Sequence, residues 1–330
     1  MFPTQDMSQQ RDKPSYAHLL LTGKCNLRCP QCFVDAGTKY EGEMNTLELL
    51  HAADELVKMG IRTVHVEGGE PLLQPEAVEV LERLRDIPDV LVVTNGTLID
   101  EERAQRLASA GLKQVALSLD GATAETHNFF RENTFDKVVN AIALLREAGL
   151  GVRISTTLMR PNVHEANMLL EKCLEWGIRI LNYDAFDQIG RGVGNRDLSL
   201  EDEHWKVLAR ELLPRAKEVA DRMQVKVAIP SKYVKLLGID ENDPDYEWTW
   251  CTSGLSQLLI RPDGAVMPCF VLASQENYVA GNVKEQPLDE IWHDSPYLRL
   301  YRKLPLAKRC PMGYQGHLFF SNVRAHGQVH

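Results

Sequence analysis

From Tyr16 to about Tyr183 the chain alternates short β-rich runs with amphipathic helical stretches, an order that parallel βα units satisfy and few other folds do. The apolar runs are AHLLLT, TVHVE, VLVVT, QVALSL, VRISTTL and IRILNY. Helical stretches such as TLELLHAADELVKMG and FDKVVNAIALLREAGL lie between them, each closed by a glycine at the C-cap. Six units are fewer than a closed eight-unit barrel holds. The expected fold is α/β: a polar tail over 1–15, a partial (β/α)6 TIM-like barrel over 16–195, and its chemistry at the C-terminal ends of the strands. After the glycine-rich GRGVGNRD the alternation is expected to stop. A bridging helix from about Leu200 to Met223 then leads into a small α+β domain, the two together spanning 196–330. In that domain LLIRPDGAVMPC reads as a hairpin turning at Pro262, Asp263 and Gly264.

The net charge of −9 comes from interspersed acidic and basic residues, giving no extended positive field for nucleic acid or anionic lipid. No apolar run approaches the ~20 residues of a membrane span, and the polar start MFPTQDMSQQRDKPS lacks the apolar stretch of a signal peptide. The expected location is the cytoplasm. Seven cysteines without a secretion signal point to metal rather than to a disulfide framework. Six form two groups, Cys25, Cys29 and Cys32, then Cys251, Cys269 and Cys310. The seventh, Cys173, sits in a helical pattern and reads as a buried thiol.

The first group, in LLLTGKCNLRCPQCFVDAG, follows the first strand directly and so falls in a loop at the catalytic end of the barrel. Thiolates are the usual ligands of iron–sulfur clusters, and three of them leave one iron of a four-iron cluster open. A zinc knot is the competing reading, but no histidine lies between Cys25 and Cys32 to complete it. Further motifs follow later strands: EGGEP at Glu67 to Pro71, TNG at Thr94 to Gly96, SLDG at Ser118 to Gly121, and His127 and Arg131 in HNFFREN.

In spacing and order these motifs resemble the radical S-adenosylmethionine (SAM) superfamily. The resemblance implies a four-iron cluster on Cys25, Cys29 and Cys32 whose open iron binds SAM. The backbone at Gly68, Gly69 and Glu70 would hold the SAM amino group. Asn95 belongs to the same pocket, Ser118 and Asp120 would lie near the ribose and carboxylate, and Arg131 would be a further carboxylate partner. Gln31 departs from the family, which usually has an aromatic residue just before the last cysteine.

The second group is similar to the twitch or SPASM extension of many radical SAM enzymes, as are IRPDGAVMPC and YVAGNVKEQPLDEIW. That resemblance implies a second, auxiliary four-iron cluster on Cys251, Cys269 and Cys310. Gly313 and Val323 stand where a further cysteine is expected, so the fourth iron is open or held by a residue such as His317. The auxiliary cluster would relay electrons or serve structure, or bind substrate directly; a degenerate domain without metal is the remaining reading.

The reaction so implied is reductive cleavage of SAM to a 5′-deoxyadenosyl radical, which takes a hydrogen atom from the substrate. The outcome would be dehydrogenation, epimerisation or a cross-link, and electrons would come from a flavodoxin or ferredoxin. Tyr183, Asp184 and Asp187 after the sixth strand, and Trp248 and Trp250 before Cys251, are the candidate substrate contacts. A barrel beginning by about residue 17, with no leader-binding domain before it, favours a small sugar-like or aminocyclitol-like substrate over a ribosomally made peptide. A non-catalytic iron–sulfur electron carrier would need the cysteines but not EGGEP, SLDG or Arg131.

Overall fold

The computed structural model describes residues 12–37, 40–239, 246–247, 253–303 and 316–320, with backbone alone at 246–247 and 316–320. Cys251, Cys310, Trp248, Trp250 and the His317 side chain lie outside the described residues.

Strands β1 (Tyr16–Leu20), β2 (Thr63–Glu67), β3 (Asp89–Thr94), β4 (Gln114–Ser118), β5 (Gly151–Leu158) and β6 (Ile180–Ala185) pair in parallel, each with the next. Between them run α1 (Thr46–Met59), α2 (Ala77–Arg83), α3 (Glu101–Ser109), α4 (Ala124–Arg131), α5 (Phe135–Glu147) and α6 (Ala166–Glu175). The sequence sets the ends of α1 closely. Asn45 and Glu48 form a reciprocal capping box, and Gly60 ends the helix at φ 73° with its N–H on the last-turn carbonyls.

Side-chain alternation sorts each strand into two faces. Ala17, Leu19, Val64, Val66, Val115, Leu117, Ile154 and Leu181 join the helices in one large apolar core, where each large side chain contributes about 1.5–3 kcal/mol. Tyr16, His18, His65, Glu67, Asp89, Gln114, Arg153 and Asp184 occupy the opposite, polar face. That face lies opposite the helix layer and forms the inside of the barrel. The barrel interior is thus lined with hydrogen-bonding groups and closed off from the helices by the sheet.

The six expected strands are all present, but the alternation does not stop after the sixth. Helix α7 (Asp202–Glu218) leads into β7 (Gln224–Ile229), which pairs in parallel with β6 as a seventh unit. The expected hairpin is β9 (Gln257–Ile260) and β10 (Ala265–Met267), turning at Gly264 with φ 83°. Its strand β9 adds in parallel to the free edge of β1, and β11 (Gly281–Asn282) pairs with β10. On the other flank β12 (Gly316–Phe320) pairs with β7, and β8 (Tyr246–Glu247) with β12. Both parts expected of the chain therefore share one sheet, in the order β11-β10-β9-β1-β2-β3-β4-β5-β6-β7-β12-β8.

Candidate active site

The loop after β1 carries Cys25, Cys29 and Cys32, and each sulfur receives a donor: the Leu27 amide at 3.4 Å, an Arg131 Nη at 3.7 Å and the Ala36 amide at 3.3 Å. Donors of this kind favour thiolate over thiol. Without a metal, burial pushes the Cys25 thiol up to about 11 and raises Cys29 as well. Three thiolates in one loop match a four-iron cluster with one iron left open.

A second loop holds the cysteines from outside. Arg191, in the glycine-rich segment after β6, donates to the carbonyl oxygens of Cys29 at 2.9 Å and of Ala36, and pairs with Asp35 at 2.8 Å. Its amide donates to the Cys32 carbonyl, and Asn195 Nδ2 donates to that of Pro30 at 3.1 Å. Gly190, at φ 53°, lets the two backbones touch: a Cβ there would stand 2.3 Å from the Phe33 oxygen. Sequence reading took this segment only as the end of the barrel. Its glycines and arginine were the available signal.

The motifs after β2, β3 and β4 converge on the same end of the sheet, with roles that differ in part from those expected. The glycines of GGEP let the second loop pack onto the first, since a Cβ on Gly68 or Gly69 would stand 2.7 Å from the Thr22 oxygen or 2.1 Å from the Lys24 oxygen. The Glu70 carboxylate is buried and accepts from Thr94 Oγ1 at 2.7 Å and the Asn95 amide at 2.8 Å, tying EGGEP to TNG. Asn95 in turn donates to Asn26 Oδ1 at 2.9 Å, beside Cys25.

Asp120 is fully buried. It accepts from the Thr157 amide, Arg131 Nε and Gln31 Nε2 at 2.7, 2.6 and 2.6 Å. Arg131 therefore links Asp120 to the Cys29 sulfur, and the Asp120 charge raises its pKa further. Two groups are left for a ligand among the described residues. Ser118 has no hydrogen-bond partner for its hydroxyl, and Gln31 Oε1 is buried with none. Gln31, the residue that departs from the family pattern, thus offers a polar acceptor where an aromatic face was expected. The orphaned Gln31 Oε1 and the half-exposed Ser118 hydroxyl, beside a cysteine loop, fit a polar cofactor such as SAM.

The loop after β4 has an anchor that sequence reading missed. Glu165 accepts from the amides of Ala122 and Thr123 and from the hydroxyls of Thr123 and Thr126, at 2.7 to 3.2 Å. These bonds hold its carboxyl below the usual range.

The expected substrate contacts are corrected in part. Tyr183 points away from the interior, is fully buried in the helix layer and donates to the Ala166 carbonyl at 2.7 Å, so it is core. Asp184, its neighbour on β6, faces the interior and is exposed; Asp187 is half-buried. Cys173 is fully buried in the helix layer, with its thiol pushed up by burial. Cys269 packs with Cys25 and Cys32 on the small apolar cluster of Leu20, Val34, Leu259 and Met267. The auxiliary hairpin thus sits at the mouth where the first three cysteines lie.

A parallel βα barrel with a three-cysteine loop after its first strand and a cysteine-bearing hairpin on its edge is the architecture of an iron–sulfur enzyme. The family model for the radical SAM superfamily matches residues 19–173, and that for the SPASM iron–sulfur cluster-binding domain matches 251–312. Fe-coproporphyrin III synthase from Methanosarcina barkeri is 30% identical, over 88% of this chain and 77% of its own. AdoMet-dependent heme synthase from the same organism is 29% identical over 86% and 83%. PqqA peptide cyclase from Granulibacter bethesdensis is 26% identical over 86% and 74%. In fold the chain is similar to Streptococcus suis SuiB bound to the precursor peptide SuiA, with a TM-score of 0.76 at 15% identity over 90% and 69%. The chain belongs to the radical SAM superfamily and is an enzyme of it with a SPASM domain. The clusters and SAM expected from its sequence are those the two domains imply. Among the described residues no helix is long and apolar enough to cross a membrane.

Proposed function

We propose that this enzyme oxidises a side chain of a ribosomally made peptide, giving a cross-linked or dehydrogenated product. The relatives' names speak of a peptide and of haem, not of sugars or aminocyclitols, and this moves the expected substrate from a small sugar-like molecule to the peptide. The observation that carries the reading is the pairing of a 26% identical peptide cyclase, matched over 86% of this chain, with a neighbouring fold that holds a precursor peptide. A haem-forming reaction is the second reading, favoured by the 30% identity to Fe-coproporphyrin III synthase.

With SAM and a reduced cluster bound, the cofactor pair supplies the 5′-deoxyadenosyl radical that removes one hydrogen atom from the substrate. The chain holds the pair through Cys25, Cys29 and Cys32. Ser118 and Gln31 offer the polar groups nearest to hand, and Gly68, Gly69, Asn95 and Arg131 shape the walls. Completing an oxidation takes one electron and one proton from the substrate radical. Cys251, Cys269 and Cys310 would hold the auxiliary cluster, which would supply an electron acceptor there, and a basic group of the polar interior would take the proton. No thiol other than those of the two cysteine groups faces the interior among the described residues, so return of a hydrogen atom, and with it epimerisation, is disfavoured. A flavodoxin or ferredoxin provides the reducing electron.

The test is anaerobic incubation of the loaded enzyme with SAM, dithionite and either a precursor peptide encoded beside it or Fe-coproporphyrin III. A peptide lighter by two hydrogens, formed in step with 5′-deoxyadenosine, is the expected result. Turnover of the porphyrin alone would establish the second reading, and failure to form 5′-deoxyadenosine with any substrate would refute both.

A further inference from the structure

Register places a group of ligating side chains inside the barrel that the SAM and auxiliary sites do not use. In the β1–β2 pair His18 stands opposite His65, and Leu20 opposite Glu67. All four project from the polar face, so both imidazoles and the Glu67 carboxylate meet at one level of the interior. One ligand atom from each of His18, His65 and Glu67 lies within 4.8 Å of the other two. His18 Nδ1 is 2.9 Å and His65 Nδ1 3.4 Å from the same carboxylate oxygen.

We propose that His18, His65 and Glu67 form a binding site for one divalent transition-metal ion, facing the substrate space of the barrel.

Ligand chemistry and charge balance support it. Two imidazoles and one carboxylate on one side of an ion, with open positions on the other, are a recurrent ligand set for borderline metals such as zinc or iron, whereas calcium and magnesium favour all-oxygen sites. The Glu67 side chain is 13% exposed, and among the described residues its ion partners are these two histidines alone. Arg153, the interior cation close enough to influence both Tyr16 and His65, gives its Nε to Gln114 at 2.6 Å instead. A largely desolvated carboxylate without a permanent cation beside it is costly, and a divalent ion would supply the missing charge.

The Tyr16 hydroxyl lies 2.7 Å from His65 Nδ1, the nitrogen that also faces Glu67, so a polar group of β1 completes this edge of the cluster. On the remaining side the Phe270 ring lies 5.0 Å from the His18 ring and 5.7 Å from that of Phe33. Phe270 directly follows Cys269, so the auxiliary hairpin packs against this cluster. An ion there would hold a carbonyl or carboxylate oxygen of the substrate by Lewis-acid attraction.

The experiment is equilibrium dialysis of the cluster-loaded enzyme against zinc(II), with zinc, iron and sulfide counted separately, and zinc absorption-edge spectroscopy of the product. One zinc per chain in a nitrogen and oxygen shell is expected. Glu67→Gln, which keeps shape and loses charge, and separately His65→Gln should each weaken zinc binding about tenfold or more, with iron and sulfide unchanged. Should Glu67→Gln lose iron as well, His65→Gln decides: with its iron retained, weakened zinc binding is expected, and wild-type affinity would overturn the proposal. No zinc beyond the loaded clusters, a sulfur shell around it, or equal affinity in Glu67→Gln and wild type would overturn the proposal.

Discussion

At the scale of single residues, much of the site's organisation comes from side chains that touch no expected ligand. Arg191 places its guanidinium on two carbonyls of the cysteine loop and pairs with Asp35. Its side chain is 20% exposed, so part of that charge is screened. Replacing it with alanine should cost about 2 kcal/mol and, more tellingly, shorten the life of the first cluster. The check is bleaching of the iron–sulfur absorption of Arg191→Ala under a chelator, expected to run several times faster than in wild type. Wild-type bleaching would show that the contact is incidental. His127 gives a pH signature. It is buried and its ring pKa lies near 4, chiefly from desolvation and then from the Arg131 charge. A depressed histidine pKa means that the unfolded chain binds the proton first. The contribution is then full above about pH 6.5 and is lost as pH falls towards 4, up to about 3 kcal/mol. The unfolding midpoint of wild type should drop between pH 7 and 5, and that of His127→Gln, lower at pH 7, should drop less. Parallel slopes would assign the pH dependence to another group.

Elements show why some of this was legible in the chain and some was not. Strands β1 to β6 and their helices announce themselves through local periodicity and glycine C-caps, which need no tertiary information. The cysteine loop and the later motifs were legible because each directly follows a strand, where a parallel fold gathers its loops. Strand β7 was missed because QVKVAI follows a long helix, and its partner β6 lies across that crossover. Glu165 and Arg191 were missed for a related reason: their partners are about 40 and 160 residues away, and no spacing rule reaches that far. Tyr183 was misread because a strand end places neighbouring residues on opposite faces, and only the packing decides which of Tyr183 and Asp184 sees the interior. The two glycines of GGEP were read for their approach to a ligand, yet it is the first loop they accommodate. Gly69→Ala would put a Cβ 2.1 Å from a backbone oxygen that has no free end to move. It should destabilise by about 1–3 kcal/mol and lower iron loading at the first site. Surface helices should serve as the control: Glu102→Ala, on the exposed face of α3, should leave both unchanged.

On the scale of the whole molecule, the auxiliary part is continuous with the barrel. Strand β9 zips in parallel onto β1, the strand that leads into the first cysteine loop, and Cys269 packs on the apolar cluster that also receives Cys25 and Cys32. Cys269 of the second group thus shares a wall with Cys25 and Cys32 of the first. Sharing a wall also raises a specific question about independence. If each site folds around its own ligands, Cys25→Ala, Cys29→Ala and Cys32→Ala combined should retain about four irons per chain, those of the auxiliary cluster. The converse triple variant at Cys251, Cys269 and Cys310 should likewise retain about four, with SAM still perturbing the spectrum of the remaining cluster. Because β9 is held by backbone pairing to β1 and by the buried Leu258 and Ile260 rather than by metal, loss of one cluster should leave the sheet folded. Iron and sulfide analysis with far-ultraviolet circular dichroism decides the matter. Loss of all iron in the first variant with its dichroism intact would mean that the cysteine loop is needed to assemble the second cluster, and the two sites would then have to be treated as one.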